Sequence, residues 1–361
     1  MDLCQDCCPR AFFDSPPTHY NPAVMESTTR SQSIRAWIGI LISLLCLAAI
    51  FLFINPAQIW QALLTADYGY LLLSGVAFIV FMLLRAVRWR FMLARQVSYG
   101  QVFHIQNIGY MLTNLLPLRI GDVARAVLIG GVPPVTIPQG VSTMVVERVL
   151  DLLFMVTLLP LTLSQVGTVS AEVRAIGLSA GILAITATFI LILAANQRRR
   201  VTRLTDAILL RIPFLRADTW NRRIDDLLIG LNSLSRWRDA LILLSLSILV
   251  WLPVIFAYYC GLLAVHLQPT WAMAGFVVCA AALSIAAPSS PGQVGVYHAG
   301  VIAALTQVLV QPEAQSASFA FLYHAMTFVL NVLLGIIGLR FVGATLDNVV
   351  HMTRRLRNKR V

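Results

Sequence analysis

The sequence predicts an all-α polytopic membrane protein, and three observations carry that prediction. Hydrophobic residues make up 58% of the 361-residue chain, charged ones only 12%, and mean hydropathy is +0.78, well outside the balance of soluble globules. The apolar residues fall in runs, several of them near the roughly twenty residues a helix needs to cross a hydrocarbon core. The basic residues gather between those runs, as the positive-inside rule requires. The formal charge of +11 therefore reports membrane orientation, and nucleic acid is not expected as a partner.

Residues 1–33 are rich in Pro, Ser and Thr and contain no apolar signal core, so they read as a disordered tail, with Met25 a second candidate start. Their Cys4, Cys7 and Cys8 lack a second Cys or His cluster to complete a four-ligand site, and Cys46, Cys260 and Cys279 sit in apolar runs as small hydrophobes. No metal or cofactor is expected. A polytopic unit then covers residues 34–350. Its first span, 36–54, follows Arg30 and Arg35 and so starts in the cytoplasm. The second, 70–84, runs into Arg85, Arg88, Arg90 and Arg95, which read as a basic exit back to that side.

Residues 101–130 break the pattern, because Pro117 and Gly121 divide them into pieces too short to span. The stretch from Asn114 to Arg125 also carries Arg119, Asp122 and Arg125, and ionisable groups at membrane depth are a functional-site hypothesis by default. Two readings stand: a re-entrant pair of half-helices entering from the cytoplasm, or an interfacial amphipathic helix with Asn107, Met111 and Asn114 on one face. After a proline-rich turn, 130–139, the span 141–163 opens with Glu147, Arg148 and Asp151. Glu147 and Asp151 share a helix face, while Arg148 and Asp151 can pair internally at i,i+3, the structural alternative to contacting a substrate.

Residues 176–195 return to the cytoplasm. The insert 196–239 sets ten arginines against five aspartates, either as a basic helical pair on anionic headgroups or as a topology determinant without a ligand. Spans 241–265 and 319–342 follow, with a basic cytoplasmic tail at 351–361. Between those spans, pieces 271–287 and 294–310 flank Pro288-Ser289-Ser290-Pro291-Gly292-Gln293. They form two spans or one re-entrant hairpin from outside, with the same parity. The hairpin reading gives about six full transmembrane helices plus two re-entrant hairpins of opposite entry, a pointer to inverted repeats around a midplane site. Half-helix N-termini would then face an anion, with Arg119 or Arg125 taking a phosphate through paired hydrogen bonds. Each residue also has a plainer reading. Arg119, Asp122 and Arg125 snorkel, Ser289 and Ser290 cap a helix, and His298 and His324 are bundle residues held by hydrogen bonds. Trp60, Trp251 and Trp271 read as an interfacial aromatic belt.

Three motifs in this order resemble the flippase-like membrane domain of bacterial lysylphosphatidylglycerol synthases and its stand-alone relatives: Asn114-Leu115-Leu116-Pro117 with Arg119, Gly121-Asp122 and Arg125; Glu147-Arg148 with Asp151-Leu152; and Pro288, Ser290-Pro291-Gly292 and Gly295. The resemblance runs from about Arg35 onward and implies translocation of an anionic phospholipid or lipid-linked phosphate between leaflets. The substrate site it implies comprises Asn114, Arg119, Asp122, Arg125, Glu147, Arg148, Asp151, Ser289, Ser290, Gly292, Gln293 and Gly295. The expected setting is a bacterial-type cytoplasmic membrane with both termini inside, as a homo-oligomer or beside a separately encoded transferase. Two positions depart from the family pattern, which continues Gly-Gly-x-Gly and then Glu: Gln293 replaces the second Gly and His298 the Glu. No phosphate-binding Gly-x-x-x-x-Gly-Lys-Ser/Thr occurs, so movement would be secondary or downhill. The alternatives are a membrane enzyme acting on a lipid phosphate or pyrophosphate, with Ser289 or Ser290 as nucleophile and His298 as base, and an accessory subunit presenting lipid to a transferase.

Overall fold

The computed structural model describes residues 41–50, 52, 54–116, 120–165, 237–285 and 290–346, together with positions 175, 179, 182, 183, 186 and 349. The expected tails, the Cys4 to Cys8 cluster, residues 196–236 of the insert, Arg119 and Ser289 lie outside the described residues. The described elements are helical, and among the described residues there is no strand. In order they are α1 (Leu41–Ile50), α2 (Pro56–Leu64), α3 (Tyr68–Met92), α4 (Tyr99–Leu115), α5 (Ile120–Gly130), α6 (Ile137–Leu163), α7 (Trp237–Ala264), α8 (Trp271–Ser284), α9 (Val296–Ala303) and α10 (Glu313–Val342).

Local chemistry sets the ends. Asn55, Asp67, Ser98, Thr136 and Thr270 each stand just before a helix and accept an N–H of its first turn, the standard use of a short polar side chain there. Gly343, left-handed at φ +67, closes α10. Among the described helices α3, α7 and α10 are long and apolar enough to cross a membrane. α6 has 27 residues but carries Glu147, Arg148 and Asp151 within its length.

α3 departs from the sequence expectation. It does not end near Leu84 but continues to Met92, with Arg85 and Arg88 buried at 6% and 0% exposure. These two arginines are therefore not part of an exposed basic helix end. Carboxylates on α6 hold them inside the bundle, which hydropathy along one segment has no means of registering. Trp251 likewise leaves the aromatic belt: it is buried, stacked on Phe154 with ring centroids 5.2 Å apart. Trp60 and Trp271 are exposed.

The buried apolar residues form two clusters, one drawing on α4, α5 and the starts of α6 and α7, the other on α8, α9 and α10. α3 runs through both, contributing Phe78, Phe81 and Met82 to one and Ala86, Trp89 and Met92 to the other. Arg85 and Arg88 sit at that seam, as do Glu147 and Asp151 on α6, between Val146 and Met155, and Ser247 on α7, between Leu243 and Val250. A charged layer therefore separates two apolar ones.

α4 and α5 fold back on each other at close range. A Cβ on Gly121 would lie 2.7 Å from the Thr113 nitrogen and nearer still to the Gly109 carbonyl. α10 lies along α4 through Gly335 against Met111 and Gly338 against Ile108. Gly121→Ala should therefore cost about 1–3 kcal/mol through overpacking. Gly75→Ala, whose Cβ would meet Met326 at an ordinary 3.4 Å, should stay within about 1 kcal/mol of wild type. Thermal melts of detergent-purified protein check both.

Candidate functional site

The charged layer is centred on Glu147, which is 1% exposed. Arg85 Nε donates to Glu147 Oε1 at 2.8 Å, with Arg85 Nη2 on the same oxygen, and Arg125 Nη2 donates to Oε2 at 2.9 Å. Asp151, one turn along α6, accepts from Arg85 Nη2 at 2.8 Å and from Arg88 Nη2 at 2.7 Å. Arg88 also reaches Ser247 Oγ at 3.5 Å. Among the described residues three buried arginines thus face two carboxylates, leaving one positive charge unbalanced. Arg88 Nε and Arg125 Nε have no hydrogen-bond partner in this arrangement.

Aromatic faces carry part of that excess. The Arg125 guanidinium lies 4.3 Å over the Trp89 ring and 5.3 Å over Tyr110, and Arg85 is 5.5 Å from both Phe81 and Tyr110. Desolvated contacts of this kind contribute up to about 2 kcal/mol. They also orient the Arg85 and Arg125 guanidinium groups.

A second, shallower pair lies beside it. Arg148 Nη2 donates to Asp122 Oδ1 at 3.0 Å, with the side chains 50% and 27% exposed. Arg148 therefore turns outward to α5, not along its own helix to Asp151. Asp122 lies in the first turn of α5, where the helix dipole favours a negative charge.

The second helix break lies against the end of α4, where a Cβ on Gly292 would sit 3.4 Å from the Asn114 carbonyl. Arg125 is five residues into α5, which puts it roughly 7 Å along the helix axis from the α5 start. The second break is a 3-10 turn, Pro291–Gln293, with Gly292 at φ +69, Gln293 at φ +60 and Gly295 at φ +87. That is why glycine suits these positions, and why Gln293 is a costly replacement. The Ser290 N–H donates to Ser43 Oγ of α1 at 2.9 Å, so the first described helix closes over this turn.

Ser290 does not cap a helix. Its hydroxyl lies 3.3 Å from both the Pro291 and the Val294 carbonyls. Capping of α9 falls to His298, whose Nδ1 accepts the Gly295 N–H at 3.2 Å. A Glu at the third helical position makes the same bond, so the His298 departure keeps the local geometry. His298 and His324 are not isolated either: their rings stack 4.8 Å apart.

Of the residues expected from sequence, Arg125, Glu147 and Asp151 share one buried network, Asp122 and Arg148 pair beside it, and Asn114 meets Gly292 at the junction of the breaks. Asn114 Nδ2 is spent on the Tyr110 carbonyl at 3.0 Å. The sequence reading missed Arg85, Arg88, Trp89 and Tyr110. One signal was present: Arg85 and Arg88 are one helical turn apart, the spacing that matches Glu147 and Asp151 across a helix pair.

These features define a membrane protein, helical in its described elements, with a buried charged layer and a second helix break set against the end of α4. Over residues 36–335 the chain belongs to the family described as the lysylphosphatidylglycerol synthase TM region. It is 23% identical over 318 residues to a UPF0104 membrane protein of Methanothermobacter thermautotrophicus, covering 85% of this chain and 93% of that one. It is 31% identical over 144 residues to Glycosyltransferase AglD of Haloferax volcanii, covering 38% of this chain but only 22% of that protein. No solved structure matches.

Glu147→Gln would leave Arg125 without its carboxylate and Arg85 with Asp151 alone, and should destabilise by about 3–5 kcal/mol. Arg148→Ala, at a half-exposed pair, should cost no more than about 1 kcal/mol. Denaturation of the two variants side by side checks this ordering.

Proposed function

We propose that the protein moves an anionic phospholipid or lipid-linked phosphate between leaflets of the cytoplasmic membrane, without ATP hydrolysis and with both termini in the cytoplasm. The observation that carries the reading is the contact between Asn114 and Gly292, which sets the second break against the end of α4, in a protein that also buries a charged layer with one unbalanced positive charge among the described residues. Broken helices in both halves of a chain, meeting at one place, are the arrangement expected of a transporter with a midplane site.

In this mechanism the headgroup phosphate enters between the breaks and is met by Arg119 and by the Arg148–Asp122 pair, with Asn114, Ser289, Ser290, Gly292, Gln293 and Gly295 lining the passage. Arg125 acts from behind, as part of the fixed positive block with Arg85, Arg88, Glu147 and Asp151. Charge set in place before the substrate arrives needs no reorganisation when the phosphate passes. Movement then consists of the two broken hairpins, read as re-entrant, shifting against each other.

A second reading draws on the match to AglD, whose name is that of a glycosyltransferase. There the chain presents a lipid carrier to a separately encoded transferase, and co-purification from native membranes with such an enzyme would favour it. A serine–histidine enzyme has less support, since Ser290 Oγ lies at carbonyls and His298 Nδ1 is engaged by a backbone N–H.

Reconstitution into liposomes with headgroup-labelled phosphatidylglycerol tests the transport reading. Wild-type protein should exchange label between leaflets above the rate of empty liposomes, and Arg119→Ala should reduce that rate at least tenfold with an unchanged melting temperature. No exchange above empty liposomes for any anionic lipid would refute it.

A further inference from the structure

The charged layer leaves a second cluster of titratable groups unused, beside the second break. His298 and His324 stack at 4.8 Å with 26° between their planes. His298 is 3% exposed, and its Nδ1 must be unprotonated, because the Gly295 N–H that it receives is always a donor. His324 Nδ1 is buried without a hydrogen-bond partner, and its ring is set toward the Gly292 backbone. One ring thus holds the start of α9, while the other touches the turn that precedes it.

Among the described residues the surroundings offer no counter-charge; α8, packed on α9 through Ser284 beside Gly300, brings only the Cys279 thiol, which lies at the Met155 carbonyl. From α9, Tyr297 meets the two rings edge-on at 5.6 and 4.9 Å. From α10, Phe321 lies 4.3 Å from His298, and Tyr323 packs on Tyr258 at 4.2 Å. From α7, the Tyr258 hydroxyl is 3.3 Å from that of Tyr297. α1 brings Ser43 against Gly295, and α4 brings the Asn114 carbonyl against Gly292. Among the described residues no ion pair reaches either imidazole.

We infer that the His298–His324 pair is a proton-binding site that controls the second helix break: a proton taken up on His298 Nδ1 removes the acceptor for the Gly295 N–H and releases the start of α9. The released N–H then turns to solvent or lipid headgroup, and the imidazolium, facing a second imidazole and no carboxylate, leaves the apolar packing. The sign follows by linkage. The closed break holds His298 neutral and the open break binds a proton, so opening is favoured as pH falls below the ordinary imidazole range near 6.5. This deepens the transport reading by giving its movable break a coupling ion.

The test is hydrogen exchange on the full chain in nanodiscs of phosphatidylglycerol and phosphatidylcholine, from pH 7.5 to 5.0, corrected for the intrinsic pH dependence of exchange. Protection at residues 294–299 should fall about tenfold per pH unit below about 6.5, the slope for one proton taken up on opening. His298→Gln keeps an acceptor at the third helical position that does not titrate, so its protection should stay flat. A flat wild-type profile, or the same slope in the variant, overturns the proposal. If the variant does not fold, 15N-histidine spectra of wild type decide: Nδ1 of His298 must gain its proton over the same pH range in which protection is lost, and failure to do so overturns it. Neither measurement needs lipid movement. A break that opens with protonation in a protein that moves no lipid upholds the proton site and removes only the transport reading.

Discussion

The carboxylate of Glu147 is the interaction on which the rest depends. It accepts from Arg85 on α3 and Arg125 on α5 while standing on α6, so one side chain ties three helices together at the seam of the two apolar clusters. Asp151 repeats the arrangement one turn on, adding Arg88, which continues to Ser247 on α7. Burying ions in this way is weak evidence for stability as such, because desolvation offsets most of the attraction, yet losing one partner strands the others. The layer therefore acts as a register pin. Through Arg125 it fixes the position of α5 against α6.

The second constraint is backbone conformation at the junction. Gly292, Gln293 and Gly295 all take positive φ, and the Ser43 backbone leaves no room for a side chain at Gly295. A chain bent so sharply cannot satisfy its own N–H and C=O groups as a helix does. Here Ser43 on α1 and His298 on α9 supply the missing partners. Two of the neighbouring helices are thus committed to holding the turn, and a change in either contact is felt at the place where the breaks meet.

The helical class and both breaks were legible in the sequence because they depend on local quantities: hydropathy over a window, and Pro and Gly within it. Membership of the site was legible only in part. Glu147 and Asp151 announced a shared face through their spacing, whereas Arg85 and Arg88 read as the basic end of a span, since nothing local distinguishes an arginine in the cytoplasm from one paired inside a bundle. Arg148 was misdirected for the same reason. Its i,i+3 neighbour Asp151 was the nearer partner in sequence, but Asp151 is already taken by arginines from α3, and Arg148 turns to Asp122. His298 and His324 looked solitary because 26 residues separate two rings that a helix packing brings into contact.

We propose that a lipid phosphate passes between the two breaks, close to the buried arginines. A cryo-electron microscopy map of the protein in nanodiscs containing phosphatidylglycerol tests it most directly. Headgroup density is expected between the end of α4 and the Pro291–Gln293 turn, with its phosphate within hydrogen-bonding reach of Arg119 or Arg148. Ordered lipid confined to the outer surfaces of α3, α7 and α10, with side chains filling the space between the breaks, would contradict it.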